Sequence, residues 1–220
     1  MNRSWQDQLD YIYHNGVDGW KADILTPIKE KYAKEKEKII MKSHSFVTKV
    51  YESQITFDYE RLILLLDKED IEKSPYMKTT FFKEKNILLK SKFKFLLDSC
   101  QKFYEEVARD NKYTSWNIIL SWVQRYDRGD FHNTHIHSTS PNHWNFVFFL
   151  DCKEDSSRLI VLEPGYPYVD QRKRIGIKPK IGGCVAFPGY IPHFVEPNTS
   201  DKRITLSSNL EYFEKGGKHG

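Results

Sequence analysis

Cysteine is scarce in this sequence: only Cys100, Cys152 and Cys184 occur, far apart and odd in number. No Cys-x-x-Cys pair is present. That argues against a disulfide framework and against a thiolate zinc site. Long apolar runs are missing as well. The longest aliphatic run, LILLL from Leu62 to Leu66, falls far short of the ~20 residues a bilayer-spanning helix needs. The opening stretch, MNRSWQDQLD, has no apolar core of the signal-peptide kind. A reducing, cytoplasmic compartment is therefore expected, with no membrane partner. Excess charge of one sign is also lacking. The 34 basic residues nearly balance 30 acidic ones, for a net +4, so the footprint of a nucleic-acid binder is missing. Nucleic acid is the least favoured substrate. No internal repeat or Gly/Ser-rich linker occurs, and 220 residues suit one domain with an extension. Nothing in the sequence sets an oligomeric state.

Aromatic residues are plentiful, at 15%, enough for a sizeable core or a stacked pocket. The first 44 residues differ from the rest: TPIKEKYAKEKEKIIMKS is rich in Lys and Glu and reads as an exposed helix. Residues 1–44 are expected to form a helical extension and residues 45–220 the body. Within the body, SFVTKVYESQI reads as a strand, DYERLILLLDKEDI as a helix and KSKFKFLLDSCQKFYEEVARDN as a long amphipathic helix. After residue 113 the pattern turns to strands. SWNIILSWVQRY, WNFVFFL, RLIVLEP, GCVAFPG and RITLSSNLEY are short, apolar or alternating, and bounded by Gly and Pro. Helices first and strands after point to an α+β arrangement with a jelly-roll body.

The densest chemistry lies in RYDRGDFHNTHIHS, where His132, His135 and His137 fall within six residues. In an extended segment His135 and His137 share a face and can chelate one metal, whereas His132 points away. Gly129 and Asp130 mark a turn upstream, so the pair is expected to begin a strand. Downstream, His193 follows Pro192, and Arg203 comes ten residues later. On that last strand Arg203, Thr205, Ser207 and Asn209 share one parity, while the other parity is mostly apolar. A polar face inside a small barrel is expected where it lines a site. Asn145 opens the strand after the histidines and is placed on the pocket side, while Trp144 reads equally well as core. The basic loop DQRKR, residues 170–174, is solvated surface or a lid that guides an anion.

The ordered set Trp116, Tyr126 with Gly129, His135 with His137, WNFVFFL, LIVLEP, GGCVAFPGYIPH and Arg203 resembles the 2-oxoglutarate and iron(II)-dependent oxygenases, in particular the kind frequent in tailed-phage genomes. The resemblance spans roughly residues 45–213. It implies a double-stranded β-helix (jelly roll) core flanked by N-terminal helices. It also implies a cytoplasmic dioxygenase that hydroxylates a substrate while 2-oxoglutarate becomes succinate and carbon dioxide. By position it implies iron ligands at His135, His137 and His193, and Arg203 gripping the far carboxylate of 2-oxoglutarate in a bidentate contact. Thr205 and Tyr126 match residues that assist at that carboxylate, and Asn145 is assigned to the same pocket. His137 departs from the pattern, which has a carboxylate there. Three neutral imidazoles leave iron(II) uncompensated, which favours an anionic cosubstrate. Two alternatives stay open: a three-histidine, cupin-like dioxygenase that ignores 2-oxoglutarate, and a non-enzymatic jelly roll whose histidines hold zinc. The substrate, a small molecule or a protein side chain, is left open.

Overall fold

The computed structural model of the chain describes residues 48–164 and 173–214. The Lys/Glu-rich segment and most of the GYPYVDQRKR loop lie outside the described residues, so the division at 44/45 and the lid reading stay expectations.

Eleven strands and two α-helices are described: β1 (Tyr51–Gln54), α1 (Tyr59–Leu66), β2 (Glu72–Lys73), β3 (Lys78–Thr79), α2 (Lys94–Asp110), β4 (Ser115–Tyr126), β5 (His132–His135), β6 (His143–Cys152), β7 (Leu159–Leu162), β8 (Arg174–Ile177), β9 (Gly183–Pro188), β10 (His193–Val195) and β11 (Arg203–Phe213). They form a seven-stranded sheet, β1-β9-β6-β11-β4-β3-β2, and a four-stranded sheet, β5-β10-β7-β8. Every pairing between these strands is antiparallel. Both helices precede β4–β11 in the chain, interleaved with the short strands β1–β3, and α2 packs on the outer face of the large sheet. This is the double-stranded β-helix with helical flanks that the motif order implied.

The alternation of β11 builds the two layers. Ile204, Leu206 and Leu210 join Phe146, Phe148 and Leu150 of β6 in the core under α2. From α2, Leu96, Cys100, Phe103, Tyr104 and Val107 meet them at helical spacing. Each of the larger apolar side chains buried there contributes about 1.5–3 kcal/mol. The lone polar residue on that face, Ser208, is satisfied by a 2.7 Å hydrogen bond with the Tyr104 hydroxyl. Helix α2 ends where Lys112 takes φ 63°. The Tyr113 N–H then donates to Ala108 O and the Lys112 N–H to Arg109 O, the paired bonds of a Schellman end.

The opposite parity of β11 looks between the sheets. Register sets Thr205 beside Gln124 and Phe149, Ser207 beside Trp122 and Val147, and Asn209 beside Asn145. Asn145 is in turn level with Phe187 of β9. A second apolar cluster, including Tyr126, Val147, Phe149, Val161, Phe187 and Val195, fills this interior.

Two expectations need correction. The histidine pair does not begin a strand: β5 ends at His135, and His137 lies beyond it, its N–H donating to Gly189 O at 2.9 Å. Nor does His132 turn away from His135. On β10, His193 faces His135 but Val195 faces His132, so β5 carries one extra residue at that point. Such a bulge breaks the two-residue alternation and leaves the His132 and His135 rings 4.1 Å apart.

Candidate active site

His193 sits on β10, between β5 and β7, directly across from His135. The side-chain nitrogens of His135, His137 and His193 all lie within 4.8 Å of one another, a grouping able to hold one metal ion. Among the described residues no carboxylate joins them. The candidates in the sequence are engaged elsewhere. Glu196 pairs with Arg158, Glu163 with Lys173, and Asp130 accepts from the Asp127 N–H. The donor set is therefore three imidazoles, which suits a borderline metal such as iron(II).

Backbone carbonyls orient two of the rings. Nδ1 of His135 lies 2.7 Å from Asn133 O, and Nδ1 of His193 lies 3.0 Å from Ile191 O. A carbonyl only accepts, so both Nδ1 atoms carry the proton and both Nε2 atoms present a lone pair. Packing fixes the rings further. Phe187 meets His193 edge-on at 4.7 Å, and Trp122 stacks on His137 at 5.7 Å and 22°. Burial lowers the pKa of all three histidines, that of His137 to about 3 and that of His193 well below the ordinary value. The rings are thus neutral near pH 7, the form that binds a metal.

His137 is held differently. Its Nε2 is 3.1 Å from Nε2 of His135, and its Nδ1 is 2.9 Å from the Asn209 amide nitrogen. An amide N–H donating to Nδ1 puts the ring proton on Nε2. Ligation through Nε2 needs the opposite tautomer, with an acceptor at Nδ1. The Asn209 amide turned by 180° supplies one, because its Oδ1 has no other partner among the described residues. Asn209 was visible in the sequence only as a member of the polar parity and had no assigned role. If His137 ligates, Asn209→Leu is expected to weaken metal binding by about 10- to 100-fold, as loss of such a partner typically does. Asn209→Asp, a pure acceptor, is expected to retain it. Cobalt(II) titration followed by visible absorption distinguishes them, and an unchanged affinity in the leucine variant would count against His137 as a ligand.

Deeper between the sheets, Arg203 is fully buried, and none of its three guanidinium nitrogens has a hydrogen-bond partner among the described residues. Its neighbours are aromatic: the guanidinium carbon lies 4.8 Å from the centre of the Tyr126 ring and 5.4 Å from that of Phe149. Cation–π contacts soften the burial of a cation but satisfy no N–H. Burial pushes the Tyr126 phenol up to about 12, so it stays a donor. Thr205 is buried one strand repeat from Arg203 on the same face. Asn145 is also buried, and neither amide atom has a partner among the described residues. Arg203, Thr205, Tyr126 and Asn145 are thus gathered in one interior, with buried donors that fit an anionic ligand bearing carboxylates.

Residues 120–209 match the family model described as "Putative 2OG-Fe(II) oxygenase". No curated protein matches the sequence. Among solved structures, HygX from Streptomyces hygroscopicus, with nickel and 2-oxoglutarate bound, aligns at TM-score 0.58 and 8% identity over 74% of this chain and 83% of that one. A Pseudomonas putida prolyl-4-hydroxylase aligns at TM-score 0.51 and 13% identity, over 77% and 95%. A viral collagen prolyl hydroxylase from Paramecium Bursaria Chlorella virus-1 aligns at TM-score 0.50 and 16% identity, over 73% and 94%. At such identities the structural likeness speaks for the fold. Over residues 120–209, less than half of the chain, the sequence is similar to the 2OG-Fe(II) oxygenases, and the order of the motifs agrees with that match.

Proposed function

We propose that this chain is an iron(II) dioxygenase that consumes 2-oxoglutarate while oxidising an organic substrate. The observation that carries this reading is Arg203: a fully buried guanidinium with no carboxylate partner among the described residues, on the inward face of the large sheet, whereas His135 and His193 stand on the small sheet. An unpaired buried cation is costly, and a bound dicarboxylate removes that cost. His135, His137 and His193 would hold the metal. Arg203, aided by Tyr126 and Thr205, would hold the remote carboxylate, and the Asn145 amide would offer hydrogen bonds nearer the metal. Iron and 2-oxoglutarate, when bound, supply the oxidising chemistry, one oxygen atom of dioxygen entering the substrate and the other the succinate formed with carbon dioxide. The protein's own part is to orient these groups and exclude water. The apolar wall of Val147, Phe149, Val185 and Phe187 does the latter. The three imidazoles bring no negative charge, so the cosubstrate provides the compensation that a ligating carboxylate provides elsewhere.

No helix among the described residues is long and apolar enough to cross a membrane. All three cysteines are free thiols, which supports our placing of the enzyme in the cytoplasm.

An anaerobic titration tests the function. Iron(II) is added first, then 2-oxoglutarate, and the visible metal-to-ligand charge-transfer band is followed. The band is expected to appear at one equivalent of each. Iron binding without a band would favour the three-histidine dioxygenase that ignores 2-oxoglutarate. Failure to bind iron would overturn the reading.

A further inference from the structure

Beside the histidine cluster lies a cavity of about 310 Å³ that the mechanism above does not use. Its lining includes Tyr76, Met77, Phe81, Phe82, Trp122 and His132. Two of these reach the candidate metal ligands. The Trp122 ring lies on His137, and the His132 ring is 4.1 Å from that of His135. The segment around residues 74–82 supplies the far wall, held to β4 by the pairing of Thr79 with Gln124. Tyr76 and Phe82 are partly open to solvent, 37% and 58% exposed, and mark the mouth.

The chemistry of the lining is one-sided. Among the described residues no Lys, Arg, Asp or Glu lines the cavity. Three of its polar groups are engaged within the protein: Thr79 Oγ1 donates to Val123 O, Ser74 Oγ donates to Met77 O, and Gln124 Oε1 accepts from Ser207, while the His132 ring also faces the cavity. A charged group entering here would shed hydration without a charged side chain in the described lining to pair with, Lys85 being placed over the Phe81 ring. A flat apolar group would instead meet aromatic faces and edges and the pliable Met77 thioether. The volume is at the lower end for ligand pockets. It suits one ring system, with the rest of the substrate outside.

We propose that this cavity receives an uncharged, apolar ring of the substrate, so that the enzyme selects neutral ring-bearing compounds over charged ones. The inference rests on the function proposed above only in placing the metal at His135, His137 and His193. The test uses the full chain loaded with zinc(II) or manganese(II), with indole as the neutral probe and indole-3-acetate and tryptamine as charged counterparts. Ligand-observed NMR reads binding, and the extra line broadening by manganese reads closeness to the metal. Indole is expected to bind, to broaden strongly in the manganese form, and to bind at least tenfold more tightly than either charged probe. Phe82→Asp, at an exposed position, is expected to weaken indole binding at least tenfold. Equal affinity for a charged probe, no manganese-specific broadening, or indole binding indifferent to Phe82→Asp would each overturn the proposal. Water-proton relaxation reports manganese loading separately. A loaded protein that fails to broaden indole removes the cavity's role and leaves the metal centre standing. A protein that takes up neither zinc(II) nor manganese(II) removes the metal centre on which the inference rests.

Discussion

Replacing His193 by alanine is expected to lower metal affinity by more than about a hundredfold, beyond what loss of a supporting partner costs. The reason is position. His193 is on the inner strand of the small sheet, only 4% exposed, with its Nδ1 proton committed to Ile191 O and its Nε2 free. His135 and His137 alone form a two-point chelate, and His137 also depends on the orientation of Asn209. The substitution opens a cavity against Phe187, so some loss of stability accompanies it. Metal content after dialysis, with a thermal melt as the check on folding, decides the matter. A folded variant that retains one equivalent of iron would remove His193 from the metal centre.

The sequence made the Arg203 wall legible because an alternating strand writes its two faces in the order of its residues. Once RITLSSNLEY is taken as a strand, Arg203, Thr205, Ser207 and Asn209 must share a side, and their burial between the sheets agrees with that. The spacing of His135, His137 and His193 was legible through motif order. What was not legible depends on contacts between distant segments. The bulge that brings His132 back toward His135 exists only in the pairing of β5 with β10, some sixty residues apart. Strands as short as β2, β3, β8 and β10 carry too few residues to show a period. The cavity wall is formed by residues 74–82, which have no motif of their own and become meaningful only when β3 pairs with β4. The tautomer of His137 likewise depends on which end of one buried amide faces it, a choice no residue type specifies.

Arg203→Met is expected to separate binding from folding in opposite directions. Methionine matches much of the length of the side chain, keeps the contacts with Tyr126 and Phe149, and removes a cation that has no hydrogen-bond partner among the described residues. Replacement of a buried charge by a well-packed apolar residue is often neutral or stabilising. Without 2-oxoglutarate, the variant is therefore expected to melt at or above the wild-type temperature. The ligand's effect should vanish. In the wild type, 2-oxoglutarate at a hundred times its dissociation constant adds about 2.7 kcal/mol to stability. Loss of a bidentate, charge-assisted contact of about 3–5 kcal/mol weakens binding by roughly a hundredfold or more, so at the same concentration the variant gains almost nothing. Melting curves with the metal-loaded protein, with and without 2-oxoglutarate, read both quantities at once. A variant several degrees less stable in the absence of ligand would mean that Arg203 is a structural cation with partners in the folded protein. A variant that keeps the full ligand-induced shift would mean that 2-oxoglutarate is held elsewhere. Only the combination of an undiminished baseline and a lost shift fits a guanidinium kept buried and unpaired for a dicarboxylate, and a purely structural jelly roll would have no reason to keep such a charge in its interior.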